Sequence, residues 1–191
     1  MSQSQLEAWS KRQPENLNYL RPNGFRFGIH SLPKVSYFCN RVSIPEISLG
    51  TAVVPNSWRD LPLPGEKLSY GQLTIGFLLQ EDMANYMELY NWLMGLGFPK
   101  DRSQHDRLRK GQPQTPPEVN NKASKGEVSD ATLLILDSNN QAVASIMFIE
   151  LFPVALSTLP FDATSQDVQY IQCSATFQYN RFEVDRVVKS T

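Results

Sequence analysis

Histidine and cysteine, which carry much of enzyme chemistry, are scarce and widely spaced in this chain. The 191 residues include two histidines, His30 and His105, and two cysteines, Cys39 and Cys173. Ser-His-Asp catalysis would need one of those histidines as its base, and no Gly-x-Ser-x-Gly turn precedes a predicted helix. Both cysteines fall on inward strand faces, which argues against a Cys-His pair. We therefore predict no catalytic residue and no enzyme activity.

Metal and cofactor sites are not indicated either. The histidines and cysteines do not have the spacing of metal ligands. The Gly95-Leu-Gly97 sequence lies at the predicted end of a helix, where an anion is disfavoured. Glu81 and Asp82 are adjacent carboxylates, but they precede a predicted helix and suit an N-terminal cap. We predict no metal and no cofactor.

The two cysteines allow two interpretations, a pair of buried thiols or one long-range disulfide. Each lies in an apolar, strand-like run, where free cysteine behaves as a small hydrophobic residue, so buried thiols are favoured. The N-terminal residues lack the pattern of a signal peptide. No apolar stretch approaches the roughly 20 residues that span a bilayer. We expect assembly in the cytoplasm and no membrane insertion by the chain itself.

The charge pattern gives little support for nucleic-acid binding. The formal net charge is -1. Residues 100–110 hold five basic side chains without an aromatic, whereas single-strand binding surfaces interleave the two. A solvated loop is the favoured interpretation. Tyr86, Tyr90 and Trp92 suggest a stacking platform, although helical spacing favours a core or subunit contact for the tyrosines.

Alternating apolar residues predict about six strands. They cover residues 24–30, 35–42, 72–80, 131–136, 141–151 and 168–182, with the first two expected to form a hairpin and the fourth and fifth another. The predicted inward residues are Phe25, Phe27, Ile29, Leu73, Ile75, Phe77, Leu79, Ile171, Cys173, Ala175, Phe177 and Tyr179.

Two helices are predicted, a short one over 3–12 and a longer one over 83–96. The longer helix carries an apolar stripe of Tyr86, Leu89, Tyr90, Leu93 and Leu96, and it ends at glycines before Pro99. Few helices among many strands favour antiparallel pairing. The sequence therefore predicts a mainly β fold, an antiparallel sandwich or barrel with one flanking helix, as a single domain over 1–191.

Three segments are predicted to be irregular. Residues 1–23 read as an N-terminal arm and residues 43–71, with four prolines, as an extended loop. Trp58, Leu61 and Leu63 in that loop either contact a partner or fold back onto the core of the chain. Residues 100–130 form a long polar loop, which is either functional or ordered only by a neighbouring subunit. The tail from 183 to 191 is expected to be mobile.

Taken in order, these pieces resemble the tail-tube family of contractile-tailed bacteriophages. The resemblance rests on Arg21-Pro22-Asn23-Gly24-Phe25, the strand with Cys39, Ile44-Pro45, Pro64-Gly65-Glu66, Gln80-Glu81-Asp82, Asn85-Tyr86, Asn91-Trp92 and the long strand from Val168 to Tyr179. The 100–130 stretch is longer and richer in proline than we expect for a plain tube subunit. Such differences occur in family members at the ends of the tube.

The resemblance implies a structural virion protein. Its copies would close into hexameric rings that stack into a tail tube, with DNA passing through the lumen without specific binding. Implied partners are the tail sheath and the baseplate hub or neck proteins. Alternatives are a tube-like baseplate initiator, a neck terminator ring, or a tube protein of a related injection machine. A hydrolase, or a nucleic-acid-binding module using 100–110, is a less supported reading.

Overall fold

The computed structural model describes residues 18–97, 99–100, 102–103, 127–162 and 170–187. Within these ranges lie nine strands and two helices. They are β1 (Phe25–Ile29), α1 (Pro33–Tyr37), β2 (Cys39–Ser43), β3 (Ile47–Val54), β4 (Leu61–Tyr70), β5 (Leu73–Leu78), α2 (Ala84–Gly97), β6 (Ser129–Leu136), β7 (Ala142–Leu156), β8 (Gln172–Gln178) and β9 (Arg181–Arg186). The predicted helix over 3–12, His105 and most of the 100–130 loop lie outside the described residues.

Two antiparallel sheet halves share the long strand β7. The strand order is β1-β6-β7-β8-β5-β2, and β9 also pairs with β7. Inward residues from both halves, such as Phe27 and Phe148 in one and Phe77 and Phe177 in the other, meet in one hydrophobic core. This confirms the predicted mainly β, antiparallel fold. The predicted hairpin of the fourth and fifth strands is also confirmed, as β6 and β7.

Strands β8 and β9 together follow β7 along its length as one bent ribbon. The pairing of Phe152 with Gln178 and of Ile149 with Arg181 keeps the same register on both sides of the bend. At the bend, Glu150 has a φ of 57°, and its Oε2 accepts a 2.9 Å hydrogen bond from Asn180 Nδ2. The sequence predicted a single strand over 168–182 and a mobile tail from 183. Within the described residues both predictions are wrong, because this segment forms two strands, β8 and β9.

The predicted second strand over 35–42 is also wrong in its first half. Residues 33–37 form the helix α1, since Pro33 stands at the first helical turn, where its missing N–H costs nothing. Ser36 Oγ accepts a 2.8 Å hydrogen bond from Ile29 N and donates one to Leu32 O. The expected hairpin with β1 does not form, because β1 pairs with β6 and β2 with β5.

Helix α2 begins and ends where the sequence predicts. Asp82 Oδ1 accepts a 3.0 Å hydrogen bond from Ala84 N, so the acidic pair acts as a cap. The buried face is rotated from the predicted stripe, however, because Trp92 and Asn85 are buried with Leu89 while Tyr90 is exposed. Among the described helices, none is long and apolar enough to cross a membrane.

Candidate assembly surface

The most exposed element is the hairpin of β3 and β4, residues 47–70, here called the projecting hairpin. Its register continues that of β2 and β5: Ser43 lies opposite Thr74, and Ile47 lies opposite Tyr70. Gly71 N donates a 3.0 Å hydrogen bond to Glu46 O between the two ladders. The hairpin therefore extends one antiparallel ribbon beyond the core by about 25 Å, at ~3.3 Å per residue.

This hairpin replaces the extended loop predicted over 43–71. The four prolines of that segment made regular strand improbable, yet Pro62 and Pro64 lie within β4. In a two-stranded sheet each strand has a free edge, where a missing N–H removes no ladder hydrogen bond. Proline at such an edge also discourages unwanted strand pairing.

The projecting hairpin is apolar and almost entirely exposed. By strand alternation through the register, one face carries Ile47, Leu49, Val53 and Leu68, and the other face carries Ala52, Val54, Leu61 and Leu63 near the tip. Trp58 in the connecting turn is 94% exposed. The structure thus excludes the reading in which Trp58, Leu61 and Leu63 fold back onto the core. Large apolar patches on monomers mark interaction sites.

Gly65 allows the two strands of the hairpin to approach each other closely opposite Gly50. A Cβ on Gly65 would lie 2.4 Å from Gly50 O, which no backbone atom tolerates. The ladder shifts register at this point, between Leu49 and Thr51. Only glycine fits at position 65, and its place in the Pro64-Gly65-Glu66 sequence has this steric reason.

The base of the hairpin is fixed to the core. Tyr179 Oη donates a 2.9 Å hydrogen bond to Gly71 O, and the Tyr70 ring lies 5.4 Å from the Phe182 ring, centroid to centroid. Burial, with a smaller contribution from Tyr70, raises the pKa of Tyr179 above its ordinary value. The neutral hydroxyl therefore remains a donor to the hairpin base at neutral pH.

A groove lies at the opposite end of the same ribbon. It has a volume of about 550 Å³ and is lined by Phe38, residues 78–82 and Tyr170. Leu78 N donates to Phe38 O at 3.1 Å and Leu79 N donates to Ile171 O at 2.9 Å, so the ends of three strands form its wall. The exposed Glu81 and Asp82 give the groove an acidic rim.

Asn85 holds the groove wall against helix α2. It is fully buried, and its Nδ2 donates a 2.8 Å hydrogen bond to Leu78 O. Its Oδ1 accepts from Gln80 N at 3.3 Å and from Tyr86 N at 2.9 Å. Asn85 therefore satisfies backbone groups where β5 turns into α2, and this gives a structural reason for the Asn85-Tyr86 pair.

Trp92 belongs to the core, so a platform of three aromatic side chains does not form. Its Nε1 donates a 3.2 Å hydrogen bond to Glu127 O, and its ring lies 6.4 Å from the Phe177 ring. Tyr86 and Tyr90 stack on each other outside, with centroids 6.5 Å apart. Tyr86 also packs against the core, as the core interpretation predicted.

Among the described residues, those considered for chemistry form neither a disulfide nor a metal-binding group. Cys39 and Cys173 are free thiols, and burial raises the pKa of Cys39 to about 11 and raises that of Cys173 as well. Thiols with raised pKa values are poor nucleophiles at neutral pH. His30 is exposed, as predicted for the outward face of β1. Among the described residues, no group of histidine, cysteine and acidic side chains has a metal-binding arrangement.

Sequence reasoning missed the projecting hairpin and the groove. A signal for the first was present, because Ile47, Leu49, Thr51 and Val53 alternate with small residues in a β-prone run. The groove had no local signal, since Phe38 and Tyr170 are far apart in sequence and meet only through the pairing of β2, β5 and β8.

Known proteins similar to this chain are components of tails and injection systems. The family model described as phage tail tube protein matches residues 13–185. The tail tube terminator protein of Enterobacteria phage T4 is 27% identical over 124 residues, which are 64% of this chain and 61% of that protein.

Solved structures that share the fold include two terminator proteins. The tube-terminating cap of the anti-feeding prophage has a TM-score of 0.58 at 13% identity, covering 94% of this chain and 99% of that chain. The PVC sheath/tube terminator of an extracellular contractile injection system, in the extended state, has a TM-score of 0.59 at 18% identity, covering 89% and 99%.

These relatives are structural proteins, which agrees with the prediction that the chain is not an enzyme. The matched family is also the one that the order of sequence motifs indicated. Because the family model spans residues 13–185, this chain is a member of the phage tail tube protein family.

Proposed function

We propose that six copies of this protein close into a ring at the end of a contractile tail tube, where it acts as a tube terminator. The number six follows from the resemblance to the tail-tube family. The terminal position is supported by the 27% identity to the tail tube terminator of phage T4, although the alignment covers less than two thirds of that protein.

The projecting hairpin is the observation that carries the proposal. An isolated two-stranded hairpin is marginally stable in water, and this one exposes apolar side chains on both faces of its tip. A neighbouring copy that covers them would stabilise the hairpin. We infer that the covering surface is a different part of the next copy, which makes the contact head-to-tail, and such contacts close into rings when the rotation permits.

The proposed ring is a conduit through which DNA passes without specific binding. The outer face of β5 and β8 supports this role, since it pairs Thr74 with Thr176 and Gly76 with Ser174. Arg41, opposite Gly76, adds one charge to this face. A face of short hydroxyl side chains has no row of cations to hold phosphates, and the chain as a whole carries a formal charge of -1.

The partners proposed for the ring are further copies, the tail sheath, and neck or baseplate hub proteins, within a virion tail assembled in the host cytoplasm. A second candidate function, the repeating subunit of the tube, is favoured by the match to the tail tube family model over residues 13–185. The two functions differ in product, because a terminator forms single rings and a repeating subunit forms long stacks.

Electron microscopy and mass measurement of the purified full chain test both candidates. Single rings with six times the 21.7 kDa chain mass support the terminator, and extended tubes support the repeating subunit. A monomer at every concentration tested, with no ring on tubes of the same system, would refute the proposal.

A matched pair of variants tests the role of the hairpin. Val53 on the hairpin and Val184 on β9 are exposed by 58% and 59%, so either can become aspartate without a core defect. We expect Val53→Asp to abolish rings and Val184→Asp to retain them. Rings from Val53→Asp would contradict an assembly role for the hairpin.

A further inference from the structure

We propose that the tip of the projecting hairpin of one subunit inserts into the groove of the next subunit, with Trp58 on the apolar floor and Arg59 beside Glu81. This inference rests on the proposed ring and adds the surface that receives the hairpin. The occupant of the groove is thus a second copy of this chain.

The topology separates the tip from the groove of its own subunit. The β2–β5 ladder has Cys39 opposite Phe77 at the groove end and Ser43 opposite Thr74 at the hairpin end. The hairpin continues the register beyond Ser43, so its tip points away from the groove. The ribbon would have to reverse direction for the two to meet within one subunit. A contact between two copies needs no such reversal, and it would be head-to-tail.

The groove has the size and lining that a tryptophan needs. Its volume of about 550 Å³ holds an indole together with a neighbouring side chain, and Phe38, Leu78 and Leu79 provide apolar contact. A 94% exposed tryptophan at the end of a narrow hairpin is otherwise hard to explain. Tryptophan and arginine are also the residues most often found at the energetic centre of protein interfaces.

The charges of the tip and the groove agree with this orientation. Arg59 follows Trp58 on the tip, and the groove rim carries Glu81 and Asp82. The charge complementarity is limited to Arg59, because the next residue on the tip, Asp60, is acidic.

Photo-crosslinking in the assembled full-length protein tests the contact directly. Trp58 is replaced by p-benzoylphenylalanine, and labelled and unlabelled copies are mixed so that mass spectrometry identifies links between subunits. The matched control places the same group at Tyr19, which is 97% exposed and lies outside the hairpin. We expect Trp58 links to peptides containing residues 78–82 or Tyr170, and none of these from Tyr19.

A charge exchange gives an independent measurement that leaves the core untouched. We expect Arg59→Glu and Glu81→Arg each to weaken ring assembly about five-fold per contact, and the double variant to return within about two-fold of wild type. The double variant Arg59→Glu/Glu66→Arg has the same net charge but places the new cation on the hairpin. It should remain as weak as Arg59→Glu alone.

The outcomes separate this inference from the proposed function. Rings with Trp58 links to any other part of the chain, together with no recovery in the double variant, would overturn the groove assignment and leave the ring intact. Wild-type protein that forms neither rings nor links between subunits would overturn both. Links to the groove with recovery in the double variant support both.

Discussion

Replacement of Asn85 by leucine should weaken the fold more than any other single polar substitution on helix α2. Asn85 is fully buried and joins the end of β5 to the start of α2 through Leu78 O and Gln80 N. Leucine has a similar size but neither donates nor accepts. The variant Asn85→Leu would therefore remove the side-chain partner of three backbone groups, Leu78 O, Gln80 N and Tyr86 N.

The magnitude follows from Leu78 O and Gln80 N, the two of these groups that lie outside the helix. An unpartnered buried donor or acceptor costs about 1–3 kcal/mol, and the added apolar burial returns part of that cost. We expect a net loss of about 2–4 kcal/mol in the free energy of unfolding. For a chain of this size, that corresponds to a decrease in melting temperature of about 5–15 °C.

The assay is chemical denaturation of Asn85→Leu beside a matched control, Asn91→Leu. Asn91 is on the same helix but exposed, so its change should remain within about 0.5 kcal/mol of wild type. Hydrogen exchange of the Gln80 amide should also accelerate in Asn85→Leu alone. Equal stability of the two variants would refute the role assigned to Asn85.

Three further changes have defined outcomes. Gly65→Ala should disrupt the hairpin and ring assembly, because its Cβ would lie 2.4 Å from Gly50 O, while circular dichroism shows an intact core. Trp92→Phe should lower the free energy of unfolding by about 1 kcal/mol, because the hydrogen bond to Glu127 O is lost. The control Trp58→Phe should leave the free energy of unfolding unchanged, because Trp58 is exposed. Burial raises the pKa of Cys39 to about 11, so its contribution to stability is complete below the unfolded-state pKa of ~8.5 and is lost as pH rises through 11. Melting temperatures from pH 7 to 11 should therefore decline less for Cys39→Ser than for wild type, and parallel curves would contradict this.

The parts of the fold that the sequence predicted are those with strict period-two burial. Leu73, Ile75 and Phe77 in β5, and Cys173, Ala175 and Phe177 in β8, alternate without exception and are all buried. A half-buried strand leaves this pattern because each inward position contacts the core. The acidic start and the glycine end of helix α2 located it correctly. The burial of Trp92 shows that the predicted apolar stripe did not identify which face of the helix contacts the core.

The errors occurred where local signals conflict with pairing. Val35 stands in a short helix where the sequence predicted the start of a strand, and the hydrogen bonds of Ser36 show why the chain turns there. Pro62 and Pro64 argued against strand, but β4 has a free edge that admits them. The groove depends on three strands that are distant in sequence, so composition and spacing could not reveal it.

The continuous register from β2–β5 into the projecting hairpin has a mechanical consequence. A pull on the tip acts along the strand direction, so the ladder bonds between Arg41–Gly76 and Ser43–Thr74 share the load in shear and do not open one after another. Through β5 the same load passes to the six-residue ladder with β8. A subunit held at its hairpin tip would thus transmit a pulling force into its most deeply buried strands. Such load transfer suits a component of a contractile assembly.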